Sequence, residues 1–161
     1  MNRLRLAAAL TLALAAASTA QAAELKRQAP PGPGIASAVV VPPGATTVYV
    51  SGMTPPAISA AGVTPPVYGD TKTQTMGVLK RIQDALKLEG MDMKDVVMMR
   101  VFLVADPATK AMDFAGMNAA YATYFGTPTQ PNKPARITMQ ITQLVNPAFL
   151  VEIEAQAAKL P

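Results

Sequence analysis

The sequence predicts an α/β (α+β) subunit in which a mixed β-sheet carries two helices on one face. Three observations predict it. Residues 71–89 and 111–125 repeat apolar side chains at three- and four-residue spacing, the period of a half-buried helix. Residues 95–105 (DVVMMRVFLVA) are apolar almost without a break, as in a strand covered on both faces. Residues 136–143 and 149–157 alternate apolar and polar, as in strands with two unlike faces. With the elements in the order β-β-α-β-α-β-β, laying both helices on one sheet face buries these stripes most economically.

The chain opens on a processing segment. Arg3 and Arg5 form a basic start, residues 6–17 are an alanine/leucine run, and Ala20-Gln21-Ala22 fits an A-x-A cleavage signal. These features predict a signal peptide over residues 1–22, cleavage before Ala23 and a periplasmic destination, with no membrane association afterwards. A retained anchor is the weaker alternative, because the run is shorter than the roughly 20 residues that span a bilayer. The remainder has the length of one domain. The formal net charge is +4 for the whole chain, and two arginines leave with the leader. A mildly basic domain without a basic run argues against a nucleic-acid partner.

The chain has no cysteine and no histidine. No disulfide can brace an exported fold. A Ser-His-Asp triad, a cysteine nucleophile and a zinc site built on His or Cys are all excluded. Chemistry must therefore run on arginine, carboxylate, hydroxyl and backbone groups.

Residues 23–34 become Pro/Gly-rich and read as a flexible leader, with the folded domain over 35–161. Residues 46–53 (TTVYVSGM) are β-branched and aromatic, hence a strand, and Val39-Val40-Val41 is the expected hairpin partner across Pro42-Pro43-Gly44. Residues 55–69 form a long loop with Pro55, Pro56, Pro65 and Pro66, of the kind that often serves as a lid. The first helix should open on a Thr71/Gln74 capping box, bury Thr75, Leu79, Ile82 and Leu86, and close at Gly90. Arg100 is the exception in the apolar strand that follows. The second helix aligns Phe114, Met117, Tyr121 and Tyr124 and closes at Gly126.

In the fourth strand, Ile137, Met139 and Ile141 face one way, and Arg136, Thr138, Gln140 and Thr142 the other. The last sets Val151 and Ile153 against Glu152 and Glu154. Arg136 and Glu152 thus fall on strands expected to be neighbours. No third helix is available for the second sheet face, so that face should pack against other subunits in a closed homo-oligomer. Met91, Met93, Met98 and Met99 read as adaptable core packing rather than a metal cluster.

An ordered set of short motifs runs through these elements: Ser51-Gly52, Leu88-Glu89-Gly90, Asp95-Val96-Val97, Val101-Phe102, Met117-Asn118-Ala119-Ala120-Tyr121 with Tyr124-Phe125, Pro134-Ala135-Arg136 and Val151-Glu152-Ile153-Glu154-Ala155. The set resembles the RidA/YjgF family of reactive-imine deaminases over most of the mature chain. The resemblance implies a chorismate-mutase-like subunit, a homotrimer with ligand clefts between subunits, and hydrolysis of enamines and imines such as 2-aminoacrylate to 2-keto acids plus ammonia. It implies no metal and no organic cofactor.

The resemblance makes Arg136 the arginine that holds the substrate carboxylate. A guanidinium suits that role because it presents a planar fork of donors and stays protonated, so it binds but cannot act as a base. The competing role is a structural ion pair with a nearby glutamate. Glu152 is implied as the residue that positions or activates water; a carboxylate in an apolar cleft shifts toward neutrality, which suits acid–base work. Glu154 shares its strand face, and parity alone does not separate the two. Gly52 is implied as a close backbone approach to the ligand, which the missing Cβ permits. Thr138 stands where the best-known deaminases carry cysteine. Asn118 and Tyr121 match the second-helix motif, where helix packing is the competing role. The tyrosine found upstream of Ser-Gly in many relatives is missing near Ser37-Ala38, and Tyr68 is its candidate replacement.

Three functions follow in order of preference. The first is an exported imine/enamine deaminase acting on a small carboxylated imine. The second is a non-catalytic binding or interaction protein for keto acids on the same fold. The third is an endoribonuclease, which the near-neutral mature charge disfavours.

Overall fold

A computed structural model describes residues 24–32 and 34–161. The expected signal segment and its cleavage site lie outside the described residues. The elements are β1 (Lys26–Gln28), β2 (Ala38–Val40), β3 (Thr46–Met53), α1 (Thr71–Leu88), a short 3-10 turn (Met93–Asp95), β4 (Val96–Val104), α2 (Phe114–Tyr121), β5 (Ala135–Ile141) and β6 (Val151–Lys159). Strands β3-β6-β4-β5, in that spatial order, form one sheet; β4 and β5 are parallel and the other pairs antiparallel. This is the mixed sheet expected, with α1 and α2 packed against one face. β4 intervenes between β5 and β6, so Arg136 and Glu152 are not on neighbouring strands.

Cross-strand pairing assigns the faces. Met99, Val101 and Leu103 of β4 share the helix face with Val151, Ile153, Ala155 and Ala157 of β6, and all are buried. They enclose the core with Val78, Leu79, Ile82 and Leu86 of α1 and Met117 and Tyr121 of α2. Met98, Arg100 and Phe102 face the other way with Glu152, Glu154 and Gln156. In β5, Arg136 lies opposite Met99 and Thr138 opposite Val101. Paired residues share a face, so the polar set of β5 points toward the helices and its apolar set toward the uncovered side.

The caps depart from expectation at one end of α1 and agree at the other. Asp70, not Thr71, is the N-cap: its carboxylate accepts from the Thr73 N–H at 2.8 Å. Thr71 and Gln74 are buried instead of forming a capping box. The Gln74 amide donates to the carbonyls of Gly69 and Ala148 at 3.0 Å each and accepts from the Leu150 N–H at 2.7 Å. A buried amide that can satisfy three backbone groups gains more than one reaching back to its own helix terminus. At the far end Gly90 has φ +67°, its N–H donates to Lys87 and the Met91 N–H to Leu86, the paired bonds of a Schellman close. α2 is shorter than expected because Asp113 caps it, accepting from the Gly116 N–H at 2.8 Å, and the chain after Tyr121 continues in turns.

The N-terminal part corrects two further expectations. β2 pairs with β1, not with β3. The segment expected to be a flexible leader therefore contains a strand, held because the Arg27 guanidinium donates to the carbonyls of Val96 (2.8 Å), Lys94 (3.0 Å) and Lys133 (3.2 Å). Further along, Ala36 donates to the Pro134 carbonyl and bridges Ala135 in parallel, covering the start of the β5 edge.

The 55–69 loop lacks regular secondary structure and is tied to α1. Arg81 donates to the Thr54 carbonyl at 2.7 Å, and a Cβ on Gly77 would stand 2.7 Å from the Pro56 ring, so the proline lies flush on the helix. The Tyr68 ring packs edge-on against Phe149, 4.9 Å between centroids.

Candidate functional site

The residues singled out from the sequence separate into two groups on opposite faces of the sheet. The first gathers around Arg136. Its guanidinium carbon lies 4.2 Å from the Tyr121 ring centroid and 5.8 Å from that of Phe114. Nη2 donates to Asn118 Oδ1 at 3.2 Å, and Nη1 lies 3.9 Å from the Met117 sulfur. These four partners occupy i, i+3, i+4 and i+7 of α2, one continuous helix face. α2 thus presents aromatic faces, a thioether and one amide oxygen to a cation, and supplies no carboxylate.

Arg136 is half-buried, and burial pulls its pKa below the usual arginine range, with Tyr121 opposing the shift. It stays protonated regardless. Burial also lifts the Tyr121 phenol above the usual tyrosine range, against the pull of Arg136 and Arg27. Tyr121 is thus a neutral hydroxyl, and it donates to the Gly34 carbonyl at 3.0 Å. Thr138 follows Arg136 by two residues on the same strand face, and its buried hydroxyl has no partner among the described residues.

The second group is Gly52 and Glu152, on the face without helices. The fit is tight: a Cβ on Gly52 would stand 2.0 Å from Glu152 Oε1. The missing side chain of Gly52 is the space the carboxylate occupies. Glu154, next on this face, is tied to Arg100 at 2.6 Å. The pair explains the one charge in the apolar β4 and separates the two glutamates that strand parity left equivalent. Among the described residues the ion pairs are Lys80–Asp84 and Arg100–Glu154, so neither Arg136 nor Glu152 is neutralised by another described residue.

The structure thus brings Asn118, Tyr121 and Thr138 to Arg136, and Gly52 to Glu152, but does not join the two groups within one subunit. Tyr68 joins neither, being packed on Phe149. Phe114 and Met117 are the partners of Arg136 that the sequence placed only on the apolar stripe of the second helix; their spacing from Asn118 and Tyr121 is the signal that places them. No group of three or more potential metal-ligating acidic side chains occurs among the described residues, and no helix among them is long and apolar enough to cross a membrane.

Comparison with known proteins agrees with this architecture. A RutC family protein of Pyrococcus horikoshii is 42% identical over 94 residues, covering 58% of this chain and 66% of that protein, just under two thirds of its length. The structure described as a putative endoribonuclease from Thermotoga maritima is 31% identical and superposes with a TM-score of 0.55 over 83% of this chain and 94% of that one. TdcF of E. coli, solved with bound serine, is 27% identical with a TM-score of 0.56, covering 74% and 84% respectively. Residues 36–159 match the sequence profile of the family described as Endoribonuclease L-PSP. The chain therefore belongs to that family, the YjgF/RidA group of mixed α+β subunits.

Proposed function

We propose that this protein is an exported hydrolytic deaminase that converts small carboxylated imines and enamines to 2-keto acids and ammonia. One observation carries the reading: Arg136 is a half-buried cation held on aromatic faces by α2, with no anion of its own among the described residues. Such a group lacks only a carboxylate, and a planar 2-imino acid supplies one beside its reactive carbon. The serine bound to the E. coli relative is a small molecule with the same group.

Because Arg136 and Glu152 lie on opposite faces, we assign the complete site to two copies of the chain in a homotrimer. The exposed apolar side chains of the uncovered face, Tyr49, Ile137 and Met139, are surface that such an assembly would bury. Arg136 of one subunit holds the substrate carboxylate, and the Thr138 hydroxyl lies beside the imine nitrogen. Glu152 of the next subunit, seated against Gly52, takes a proton from water as its oxygen adds to C2. That proton passes to the nitrogen, giving a carbinolamine; Glu152 then relays the hydroxyl proton to the nitrogen, so that the C–N bond breaks with neutral ammonia leaving as the C2 carbonyl forms. Water is consumed, ammonia and the keto acid are released, and no oxidant or reductant is needed. The gain comes from orientation of water and substrate. The leader over residues 1–22 would deliver this activity outside the cytoplasm.

The test generates a carboxylated imine in situ with an amino-acid oxidase and traps what remains with semicarbazide. The wild-type chain should accelerate imine loss. Arg136→Ala should lower the acceleration at sub-saturating imine by at least about 30-fold and Glu152→Gln should abolish it, and refolding the two variants together should restore part of it. Keto-acid binding without accelerated loss would replace the deaminase reading with a binding protein, and no recovery on mixing would place the site within one subunit. Gly52→Ala provides a finer check. The added Cβ displaces the end of a flexible side chain rather than backbone, so turnover should fall at least about tenfold while stability changes by less than about 1 kcal/mol in a urea melt.

A further inference from the structure

We propose that Arg27 is a positioning residue for the carboxylate site, acting through the Gly34 carbonyl and the Tyr121 ring on Arg136. The inference rests on the reading of Arg136 as the carboxylate anchor. Arg27 and Gly34 both precede residue 36, where the family match begins, so the match assigns them no role. The connection is physical at each step. The Arg27 guanidinium donates to three carbonyls, those of Lys94 in the 3-10 turn, Val96 at the start of β4 and Lys133 just before β5. This fastens the β1–β2 hairpin across the ends of two parallel strands. The same segment reaches the site at Gly34, whose carbonyl accepts from Tyr121 at 3.0 Å. Two residues on, Ala36 donates to Pro134 at 2.9 Å, next to the Ala135-Arg136 pair.

Tyr121 is the residue this fastening controls. Its ring stacks on Phe125, with centroids 4.7 Å apart, and lies 4.2 Å from the Arg136 guanidinium carbon. A guanidinium resting on a ring face is fixed in plane but not in rotation, so the direction of its remaining donors depends on where the ring is held. Phe125 and the Gly34 carbonyl constrain that ring at its face and at its hydroxyl. Removing the Arg27 fastening frees Gly34, and with it the Tyr121 hydroxyl. Arg27 touches neither Arg136 nor any group assigned to the reaction, so it is not catalytic. Its own charge is sustained by Asp95 against the burial that lowers its pKa.

The experiment compares Arg27→Ala, Arg27→Lys and Tyr121→Phe, alone and with Arg27→Ala and Tyr121→Phe combined. Affinity for 2-oxobutyrate is measured by calorimetry and phenol ionisation by ultraviolet titration. In the wild type, the Tyr121 phenol, identified by its absence in Tyr121→Phe, should ionise above the usual tyrosine range because burial lifts it. In Arg27→Ala, Tyr121 becomes accessible and ionises earlier, the lost burial outweighing the lost pull of Arg27, and keto-acid affinity falls about tenfold. Arg27→Lys recovers part of both, because an ammonium still reaches one of the carbonyls. The double variant loses no more affinity than the larger single loss, since both substitutions break one chain of contacts. Wild-type affinity and a wild-type phenol titration in folded Arg27→Ala would overturn the inference, as would losses that multiply in the double variant. If Arg27→Ala does not fold, Arg27→Lys carries the same two readouts. A wild-type protein that binds no keto acid would sink the carboxylate-site reading instead, and the phenol titration would still decide whether Arg27 governs Tyr121.

Discussion

Arg136→Ala is expected to lower kcat/KM on a carboxylated imine by about 30- to 5,000-fold, the equivalent of about 2–5 kcal/mol lost when one member of a desolvated, hydrogen-bonded charge pair is removed. Most of the loss should appear in KM. The carboxylate is bound before and during water addition, so its anchor stabilises ground state and transition state nearly alike. Arg136→Lys separates charge from shape. Lysine retains the positive charge but neither the planar fork nor the stacking on Tyr121 and Phe114, so it should recover only a small part of the activity. Full activity in Arg136→Ala, measured with the semicarbazide trap on imines with and without a carboxylate, would remove the carboxylate site altogether.

Gln74→Leu is expected to cost about 1–3 kcal/mol of folding stability while leaving the side-chain volume nearly unchanged. Gln74 is 1% exposed. Its amide satisfies the carbonyls of Gly69 and Ala148 and the N–H of Leu150. Leucine fills the space but strands the buried Leu150 N–H away from water, which costs about 1–3 kcal/mol, and removes two part-buried hydrogen bonds to the carbonyls of Gly69 and Ala148. Gly69 and Ala148 are exposed, so water replaces the amide at their carbonyls and the total stays near the penalty of the one stranded group. The measurement is the urea midpoint at constant slope. A loss below about 1 kcal/mol would mean that water replaces the amide at the Leu150 N–H too, and that the loop before β6 is not held to α1 by this residue. Since Val151 and Glu152 follow directly, the same variant should also reduce turnover.

Much of the fold was readable because its signals are local. The α1 stripe, the Gly90 close and the alternation in β6 each depend on a few neighbouring residues, and the structure contains them within one or two positions. What was misread depends on residues distant in sequence. The hairpin expected between Val39-Val40-Val41 and the next strand failed because β1, held by Arg27 to carbonyls 67 to 106 positions away, took the pairing. The capping box failed because Gln74 is engaged with Ala148 and Leu150, more than 70 residues on. Strand parity ordered the side chains within β5 and within β6 but could not decide which polar set points at the helices. That depends on α2, whose Asn118 and Tyr121 draw Arg136 to the helix side. Motif order alone therefore suggested that Arg136 and Glu152 are close, and only the sheet reveals that they are back to back.

The two-sidedness of the sheet has a consequence for mass action. If each reacting cleft is assembled from the helix side of one copy and the bare side of another, an isolated subunit has both halves and no site. Specific activity would then fall on dilution without any unfolding, tracking the dissociation of subunits rather than the loss of structure. A protein working at low concentration would need an interface tight enough to remain closed there. Selection on catalysis would act on Tyr49, Ile137 and Met139, side chains that never meet the substrate, as strongly as on those that do.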